Sequence, residues 1–569
     1  MAAKNESRLL IESAGLGVIG ALGAQLFMWM LRVCNHIFLE KIAGYQMPSA
    51  SDSLTQRIGA HGLWLIPVVT TVGGLLSGFL VYRFAPEAEG HGTDTAVNAF
   101  HHKQGLIRSR VPPIKMVASA ITIGSGGSAG REGPIALIAA GLGSLYARLT
   151  KRPEEDRRLL LLAGMAAGLS AIFRSPMGTG VFAIEVLYGQ MEFEVGALLY
   201  TMLASAVAYT VNGAFVGFQP LFRIPTIPTP HFTDYAAYAA LGLAAGLIST
   251  ALPQVFYGLR DLFRRMPVPV WTKPAIGALG VGLLAMKLPQ VLGGGYGWIQ
   301  LAINGDIALK LLVVLIFAKI VAFSLTVSSG GSGGVFAPSL YAGAMLGGAL
   351  AILTHQMPAV FAVVGMAAVF GAAGRVPVAT MLMVTEMTSG YNLLAPAGMA
   401  VMISYLLQVR LSRHLKYRSL YESQVPTVED SPAHYLEHIQ VALKLLGRRD
   451  LPMEKLGHLD LLRLLRSRIR FDLPQGKQLT MGVVGEDSPL VGKTIGTLYR
   501  ELQRYEFEIV VAMRREHLLL PHWNTLLETN DRLVMIASPP AREQLKKYVT
   551  PIAEAEEKGL LAPERDKAA

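Results

Sequence analysis

The sequence contains a single cysteine, Cys34, and only 16% of its 569 residues are charged. One cysteine excludes an intrachain disulfide framework and a cysteine-based metal site within one chain. The low charged fraction, together with 52% hydrophobic residues, is atypical of soluble globular proteins. The composition therefore predicts an integral membrane protein, and the length allows more than one domain.

Several apolar stretches are long enough to cross a hydrocarbon core of roughly 30 Å, which takes about 20 helical residues. They lie near residues 13–33, 62–82, 195–217, 235–257, 269–291 and 307–327. Other apolar segments are shorter and are cut by glycine or proline, as in closely packed or broken membrane helices. No small-residue cleavage site follows the first stretch, so we expect a retained span and not a signal peptide.

The net charge of +11 is concentrated in basic clusters at 148–158, 260–265 and 410–418. In a membrane protein such clusters usually mark cytoplasmic loops. We therefore expect no nucleic-acid partner. The prediction is a multi-pass protein of the plasma or inner membrane, with both termini cytoplasmic.

The chain carries an internal duplication. Aligned without gaps, residues 114–143 and 318–347 are identical at thirteen of thirty positions, including a glycine-rich segment and the proline after it. A second pair, 171–186 and 372–387, shares five residues at a similar offset. Such self-similarity predicts a repeated structural unit, with halves at roughly 13–220 and 235–410.

Each copy of the first pair is predicted to be an apolar helix, a glycine-rich loop and the start of a second helix. Free N–H groups and the helix dipole at such a start favour an anion, and glycine lets the backbone approach it closely. Inverted-repeat transporters bind substrate where interrupted helices converge near the midplane of the membrane. The duplication therefore predicts an anion site between the two loops.

Glu132 lies inside the first loop, whereas the matching residue of the second copy is Phe336. An ionisable side chain in membrane-embedded sequence indicates function. A deprotonated carboxylate would compete with the anion for the same N–H groups, whereas a protonated one would admit the anion. The alternative is a local ion pair between Glu132 and Arg131.

Four motifs resemble the signature set of the CLC family of chloride channels and chloride/proton exchangers. They are GREGP at 130–134, GGVFAP at 333–338, the GxG turn at 90–92 and the tyrosine of RSLYES, Tyr421. The resemblance runs over about residues 13–425. It implies a homodimer in which each subunit has its own pore, built as an all-α polytopic fold with an inverted repeat.

By this resemblance Glu132 is the gating glutamate, and the backbone N–H groups of Val335 and Phe336 with the Tyr421 hydroxyl frame the central anion site. The full predicted anion-binding set is His91, Gly130, Arg131, Gly133, Gly334, Val335, Phe336, Ala337 and Tyr421. The resemblance implies a transport protein and not an enzyme, with chloride as transported ligand and with no cofactor or metal.

Two residues depart from the family pattern. His91 stands where the family often has an anion-binding serine; its imidazole could donate an N–H, titrate near neutral pH, or simply pack. Val186 stands where coupled exchangers usually have an internal proton-carrying glutamate. Valine carries no proton, so the sequence favours a gated chloride channel, with a chloride/proton exchanger as the alternative. Glu185 is either a proton relay or a structural group that caps a helix or pairs with Arg174 or Arg375.

The composition changes after Tyr421. Residues 426–475 are predicted to be a helical linker, 476–550 a small cytoplasmic α/β domain, and 551–569 a disordered tail, while 1–12 is predicted as an N-terminal tail. The α/β domain resembles the C-terminal lobe of regulator-of-potassium-conductance domains, and no GxGxxG motif stands directly before it. The resemblance implies either a ligand-sensing module, with cyclic dinucleotides among the ligands, or a dimerisation cap. A further alternative makes the membrane part a sensor whose output is this domain.

Overall fold

The computed structural model describes residues 2–434, 471–472 and 478–551, apart from 51–52, 61, 228–230, 233, 429, 486, 515–516 and 520–522. It divides into two units, Met1–Ala433 and His434–Ala569. Most of the linker predicted at 426–475 and of the tail predicted at 551–569 lies outside the described residues.

The first unit is mainly helical and contains one short antiparallel ladder. Its α-helices within the described residues are α1 (Ala2–Asn35), α2 (Ile66–Phe84), α3 (Thr93–His102), α4 (Val111–Gly124), α5 (Glu132–Leu149), α6 (Glu154–Phe173), α7 (Pro176–Glu185), α8 (Leu198–Val216), α9 (Asp234–Arg265), α10 (Lys273–Ala285), α11 (Tyr296–Asn304), α12 (Leu309–Ser328), α13 (Phe336–Thr354), α14 (Pro358–Ala373), α15 (Pro377–Thr388) and α16 (Leu394–Ser412). The ladder pairs β1 (Tyr45–Gln46) with β2 (Arg57–Ile58).

The helices form two sets of eight that correspond in order, α1–α8 and α9–α16. In both sets a long first helix is followed by a short third helix, a glycine-rich break after the fourth and another short helix at the seventh position. The core between them is built from alanine, leucine, valine and phenylalanine side chains with almost no exposure. The fold thus shows the duplication predicted from the sequence.

Seven helices are long and apolar enough to cross a membrane, among the residues that the structure describes. They include Phe336–Thr354 and Tyr391–Ser412, which the sequence analysis did not single out as spans. The stretch predicted at 269–291 contains only the thirteen-residue α10 as α-helix. Glycine and proline break the chain around α10, which is why an apolar run of spanning length yields a short helix.

The first helix begins earlier than expected, because residues 2–12, predicted as a polar tail, are helical. Glu12, at the end of this segment, is paired within the fold. Arg152 Nη2 lies 2.7 Å from Glu12 Oε1, and both side chains are less than a tenth exposed. Arg8 Nε approaches the same oxygen at 3.1 Å. A paired carboxylate on a helix can be buried where an unpaired one cannot.

The second unit is an α/β domain around an antiparallel sheet. Its strands are β3 (Phe471–Asp472), β4 (Gln478–Val483), β5 (Phe507–Arg514), β6 (His517–Leu519), β7 (Arg532–Ala537) and β8 (Thr550–Pro551), in the order β3-β4-β7-β5-β6 with β8 beside β4. Helices α17 (Ile495–Glu501) and α18 (Pro539–Leu545) pack on it. These elements confirm the small α/β domain predicted in this region.

One buried carboxylate holds the turn before β7. Asp531 is fully buried, accepts hydrogen bonds from Arg514 Nε and Nη2 at 2.9 Å each, and accepts another from Glu528 N at 2.8 Å. The hydrogen bonds that Arg514 donates to Asp531 raise the pKa of the arginine above its usual range, so this guanidinium stays charged.

We expect Asp531→Ala to destabilise this domain by about 2–3 kcal/mol, because two hydrogen bonds from Arg514 and one from a backbone amide are lost. Amide hydrogen exchange in β5 and β7 of the full-length protein would measure the loss. Glu543→Ala, which removes an exposed ion pair with Lys546, is the matched control and should change little. Equal exchange rates in both variants would contradict the prediction.

Candidate anion-transport site

The two glycine-rich loops meet face to face. Gly130 N donates to Gly334 O at 2.8 Å and Gly334 N donates to Gly130 O at 2.7 Å, forming an isolated antiparallel bridge. The GxG turn joins them, because Gly333 N donates to Gly90 O at 3.2 Å. Loops some 200 residues apart in sequence therefore close around one point, as the duplication predicts.

This point is where two helices begin. α5 starts at Glu132 and α13 starts at Phe336, so each contributes first-turn amides that have no partner within their own helix. The positive ends of two helix dipoles are thus directed at one pocket. Such a pocket stabilises an anion in surroundings where an isolated charge would be very costly.

The Glu132 carboxylate already lies in this pocket. The side chain is 1% exposed, and neither oxygen has a hydrogen-bond partner that meets normal geometry within the described residues. The backbone amides of Glu132 itself and of Ala337 face it. A Cβ at Gly130 would lie 2.0 Å from Glu132 Oε2, and one at Gly334 would lie 3.4 Å from it. The carboxylate therefore occupies space that only glycine leaves open.

Arg131 does not form the alternative ion pair with Glu132. Its guanidinium lies over the Tyr296 ring, 4.3 Å from the ring centre, and its Nη1 contacts Met28 Sδ at 3.5 Å. Its Nε has no partner among the described residues. Arg131 thus contributes positive charge beside the pocket without neutralising the carboxylate through direct contact.

Aromatic rings enclose the pocket on the α13 side. The Phe336 ring packs against Phe370 at 4.2 Å and Phe173 at 4.5 Å between ring centres. Tyr421 is 2% exposed and its hydroxyl faces Thr93 at the start of α3. The Phe370 ring, which packs on Phe336, also lies 6.5 Å from the Tyr421 ring between centres. Val335 precedes α13 directly as its N-cap residue.

His91, the middle residue of the GxG turn, lies beside Tyr421. Its ring centre is 5.5 Å from that of Tyr421, and its Nδ1 is 3.5 Å from Asp94 N, which donates to it. The ring also borders a cavity of about 270 Å³ whose lining includes Arg260 and Arg264. The lining also includes Glu87, Glu89 and Asp94, so the histidine lies at the wall of a cavity of mixed charge. One of its ring nitrogens is occupied by the backbone.

Glu185 in α7 caps the start of α15, and its repeat partner Glu386 in α15 caps the start of α7. Glu185 accepts from Ala379 N at 2.7 Å and from Val378 N at 3.1 Å, at the start of α15. Glu386 accepts from Gly178 N at 2.9 Å, from Met177 N at 3.2 Å and from the Ser175 hydroxyl at 2.5 Å, at the start of α7. The capping role considered from the sequence is therefore the one that the geometry supports, and both oxygens of Glu185 are engaged. Val186, which follows Glu185, is fully buried.

The voltage-gated chloride channel family matches residues 73–408 of this chain. The chain belongs to this family, the CLC family. A TrkA-C domain matches residues 480–550, in agreement with the C-terminal resemblance seen in the sequence.

The CLC relatives of this chain include proteins named as exchangers and a protein named as a channel. The chain is 30% identical over 403 residues to the H(+)/Cl(-) exchange transporter ClcA of Cronobacter sakazakii, covering 68% of this chain and 85% of ClcA. It is 30% identical over 410 residues to a protein of Ralstonia nicotianae provisionally named a ClcB-like chloride channel, covering 70% and 93%. The crystal structure of a slow cyanobacterial Cl⁻/H⁺ antiporter has a TM-score of 0.64 at 22% identity, covering 72% of this chain and 96% of that one, which shows the shared CLC fold.

The sequence analysis did not identify two buried lysines of the CLC unit that hold loops near the site. Lys115 Nζ donates to Ala88 O at 2.9 Å and Gly90 O at 2.6 Å, which fixes the GxG turn. Its repeat partner Lys319 donates in the same way to Val291 O at 2.8 Å and to Gly293 O at 2.6 Å, at the start of the GGG turn at 293–295. Both lysines could have been found from the sequence, because a lysine stands at the same position of an apolar helix in each copy of the repeat.

We expect Gly133→Ala to lower chloride flux of this CLC chain at least about ten-fold, because small misplacements of a site are costly. A Cβ at Gly133 would lie 1.9 Å from His91 O and 3.0 Å from Gly334 Cα, so the loops would be forced apart. Gly258→Ala in α9, where a Cβ meets nothing within 4 Å, is the control. Flux assays in proteoliposomes that found the two variants alike would contradict this account of the pocket.

Proposed function

We propose that this chain is a chloride/proton exchanger in which Glu132 carries the proton. The observation that carries the proposal is the position of its carboxylate, buried against the first-turn amides of α5 and α13. Chloride and a deprotonated carboxylate need the same N–H groups, so only one of them occupies the pocket at a time. Protonation removes the negative charge of the side chain and lets chloride replace it.

Two arguments support exchange over the channel that the sequence favoured. The ClcA of Cronobacter sakazakii is named an exchange transporter. In addition, Glu132 and Phe336 are almost completely buried, so the pocket is closed to solvent in the described conformation. Exchange requires such an occluded state between two open ones.

A passive channel is the second candidate, and Val186 is the residue that favours it. A valine at this position cannot hand a proton to Glu132, and the adjacent carboxylate of Glu185 is engaged in capping α15. Unless another proton route exists, coupling would be lost and chloride would flow down its gradient alone.

Reversal potentials under crossed chloride and pH gradients distinguish the two candidates. Purified protein in proteoliposomes is expected to show a reversal potential that shifts with the pH gradient, and chloride influx should drive protons uphill. A reversal potential equal to the chloride Nernst potential at every pH gradient would establish the channel and refute the exchanger.

For the assembly, we propose a homodimer in the plasma or inner membrane with both termini in the cytoplasm. We also propose that the TrkA-C domain binds a small regulatory ligand, with cyclic dinucleotides as the first class to test. Isothermal titration of the full-length protein with cyclic di-AMP and cyclic di-GMP, and mass measurement in detergent, address the two points separately.

A further inference from the structure

A row of buried polar side chains lies next to Val186 and is not used by the mechanism above. It begins at His101, near the end of α3, whose side chain is 1% exposed. His101 Nε2 lies 3.0 Å from Leu187 O, and Nδ1 lies 2.8 Å from Ser431 Oγ. A carbonyl oxygen only accepts, so Nε2 carries a hydrogen, and Nδ1 of the neutral ring accepts the serine hydroxyl. Nδ1 is therefore the atom at which this ring can take up a proton.

The row continues through Ser431 to Tyr188 and Glu194. Tyr188 is fully buried, its ring centre is 5.7 Å from that of His101, and its hydroxyl faces the Ser431 side chain. The same hydroxyl donates to Glu194 Oε2. Glu194 is partly exposed, unlike the other three. Four groups with exchangeable protons thus connect a partly exposed carboxylate to a buried imidazole.

Other charged or titratable groups border this row. On α3, the His102 ring centre lies 6.1 Å from that of His101. From the loop after α7, Glu192 faces Tyr188 and accepts a hydrogen bond from Val428 N. From α6, Arg158 donates to Phe100 O and Ala433 O and pairs with Glu154. Two carboxylates near the outer end of the row favour a proton arriving there.

The row lies next to Val186, where the proposed exchange needs a group that carries protons. Leu187, whose carbonyl holds His101, follows Val186 directly. α3 begins at Thr93 beside Tyr421, so His101 lies about 12 Å farther along the helix, at about 1.5 Å per residue. Ser431 comes three residues before the second unit, which places the row at the side of the membrane unit from which the chain leaves for the TrkA-C domain.

We infer that Glu194, Tyr188, Ser431 and His101 form the proton route on that side, in place of a carboxylate at position 186. This inference rests on the proposed exchange, because an exchanger must bring protons to Glu132 from both sides. A proton from water binds Glu194, Glu194 donates to the Tyr188 oxygen, and the Tyr188 hydrogen passes to Ser431. The Ser431 hydrogen passes to His101 Nδ1, so the three O–H bonds broken are balanced by two new O–H bonds and one N–H bond. The imidazolium then gives its Nε2 proton to a water molecule, which carries it towards Glu132, and the ring is left neutral with its hydrogen on Nδ1.

Tyr188→Phe and Ser431→Ala test the route with little change of shape. In proteoliposomes of the full-length protein, proton flux driven by a chloride gradient should fall at least ten-fold in both variants, while chloride flux stays within two-fold of wild type. Glu194→Gln should behave as they do, whereas Glu194→Asp keeps a titratable group and should retain coupling. Tyr238→Phe, a buried tyrosine of α9 that packs on Phe361, is the control.

The outcomes separate the two proposals. Wild-type protein that moves no protons refutes the exchange and the route together. Coupled wild-type protein with an unchanged proton-to-chloride ratio in Tyr188→Phe and Ser431→Ala refutes the route alone. Equal losses of proton and chloride flux in these variants would also refute it, because they would indicate a structural role of the row.

Discussion

Glu132→Gln is expected to lower proton transport about a hundred-fold or more, because the group that transfers the proton is lost. Chloride should still flow. Glutamine has nearly the shape of the protonated acid but cannot release a proton. It also lacks the negative charge that competes with chloride for the first-turn amides of α5 and α13. Chloride flux should therefore become insensitive to pH.

The measurement compares proton and chloride fluxes of the same vesicles between acid and neutral pH. Glu132→Asp keeps a titratable carboxylate on a shorter side chain and serves as the comparison, with pH dependence retained. An unchanged pH dependence in Glu132→Gln would remove Glu132 from the mechanism. Lost chloride flux with intact protein would show that the side chain is required for more than proton transfer.

Glu386→Ala is expected to destabilise the membrane unit more than the loss of any other single helix cap described above. It removes the acceptor of the Ser175 hydroxyl and of two amides at the start of α7. Hydrogen bonds to a buried charged group contribute about 1.5–3 kcal/mol each and are not additive, so we expect a loss of about 3–5 kcal/mol. Glu185→Ala, which removes two such bonds, should lose less.

Thermal unfolding in detergent gives the order of these variants through the midpoint temperature. Glu386→Gln keeps one accepting oxygen and should fall between wild type and Glu386→Ala. Glu422→Ala, which removes a partly exposed ion pair with Arg260, controls for loss of charge alone. Glu386→Ala and Glu185→Ala midpoints indistinguishable from those of wild type and Glu422→Ala would mean that the caps contribute nothing measurable.

The meeting of the two glycine-rich loops was predictable because the residues that determine it are close together in sequence and occur in both copies. The glycine-rich loops, the helix starts and Glu132 all lie within two short aligned segments. Duplication then implies that the two copies meet, and the bridge between Gly130 and Gly334 confirms it. Phe336 was visible as the residue that replaces the carboxylate in the second copy.

Contacts between distant segments could not be predicted in the same way. The partners of Glu185 and Glu386 lie about two hundred residues away along the chain. The residues next to either glutamate in sequence do not indicate which amides it will cap. Arg174 and Arg375, predicted as possible ion-pair partners, instead donate to the carbonyls of Gln219 and Gly189. His101 is unremarkable in sequence and gains significance only because the fold places Ser431 beside it.

The reciprocal caps also limit how this protein can be assembled. A ribosome releases the first half long before the second exists, and until then the amides at the tip of α7 have no acceptor and Glu185 has no donors. Unpaired polar groups are strongly disfavoured in lipid. The first half therefore cannot reach its final structure before the second half has been synthesised. Two plasmids that each encode one half should therefore restore a working transporter together, whereas either fragment by itself should be degraded.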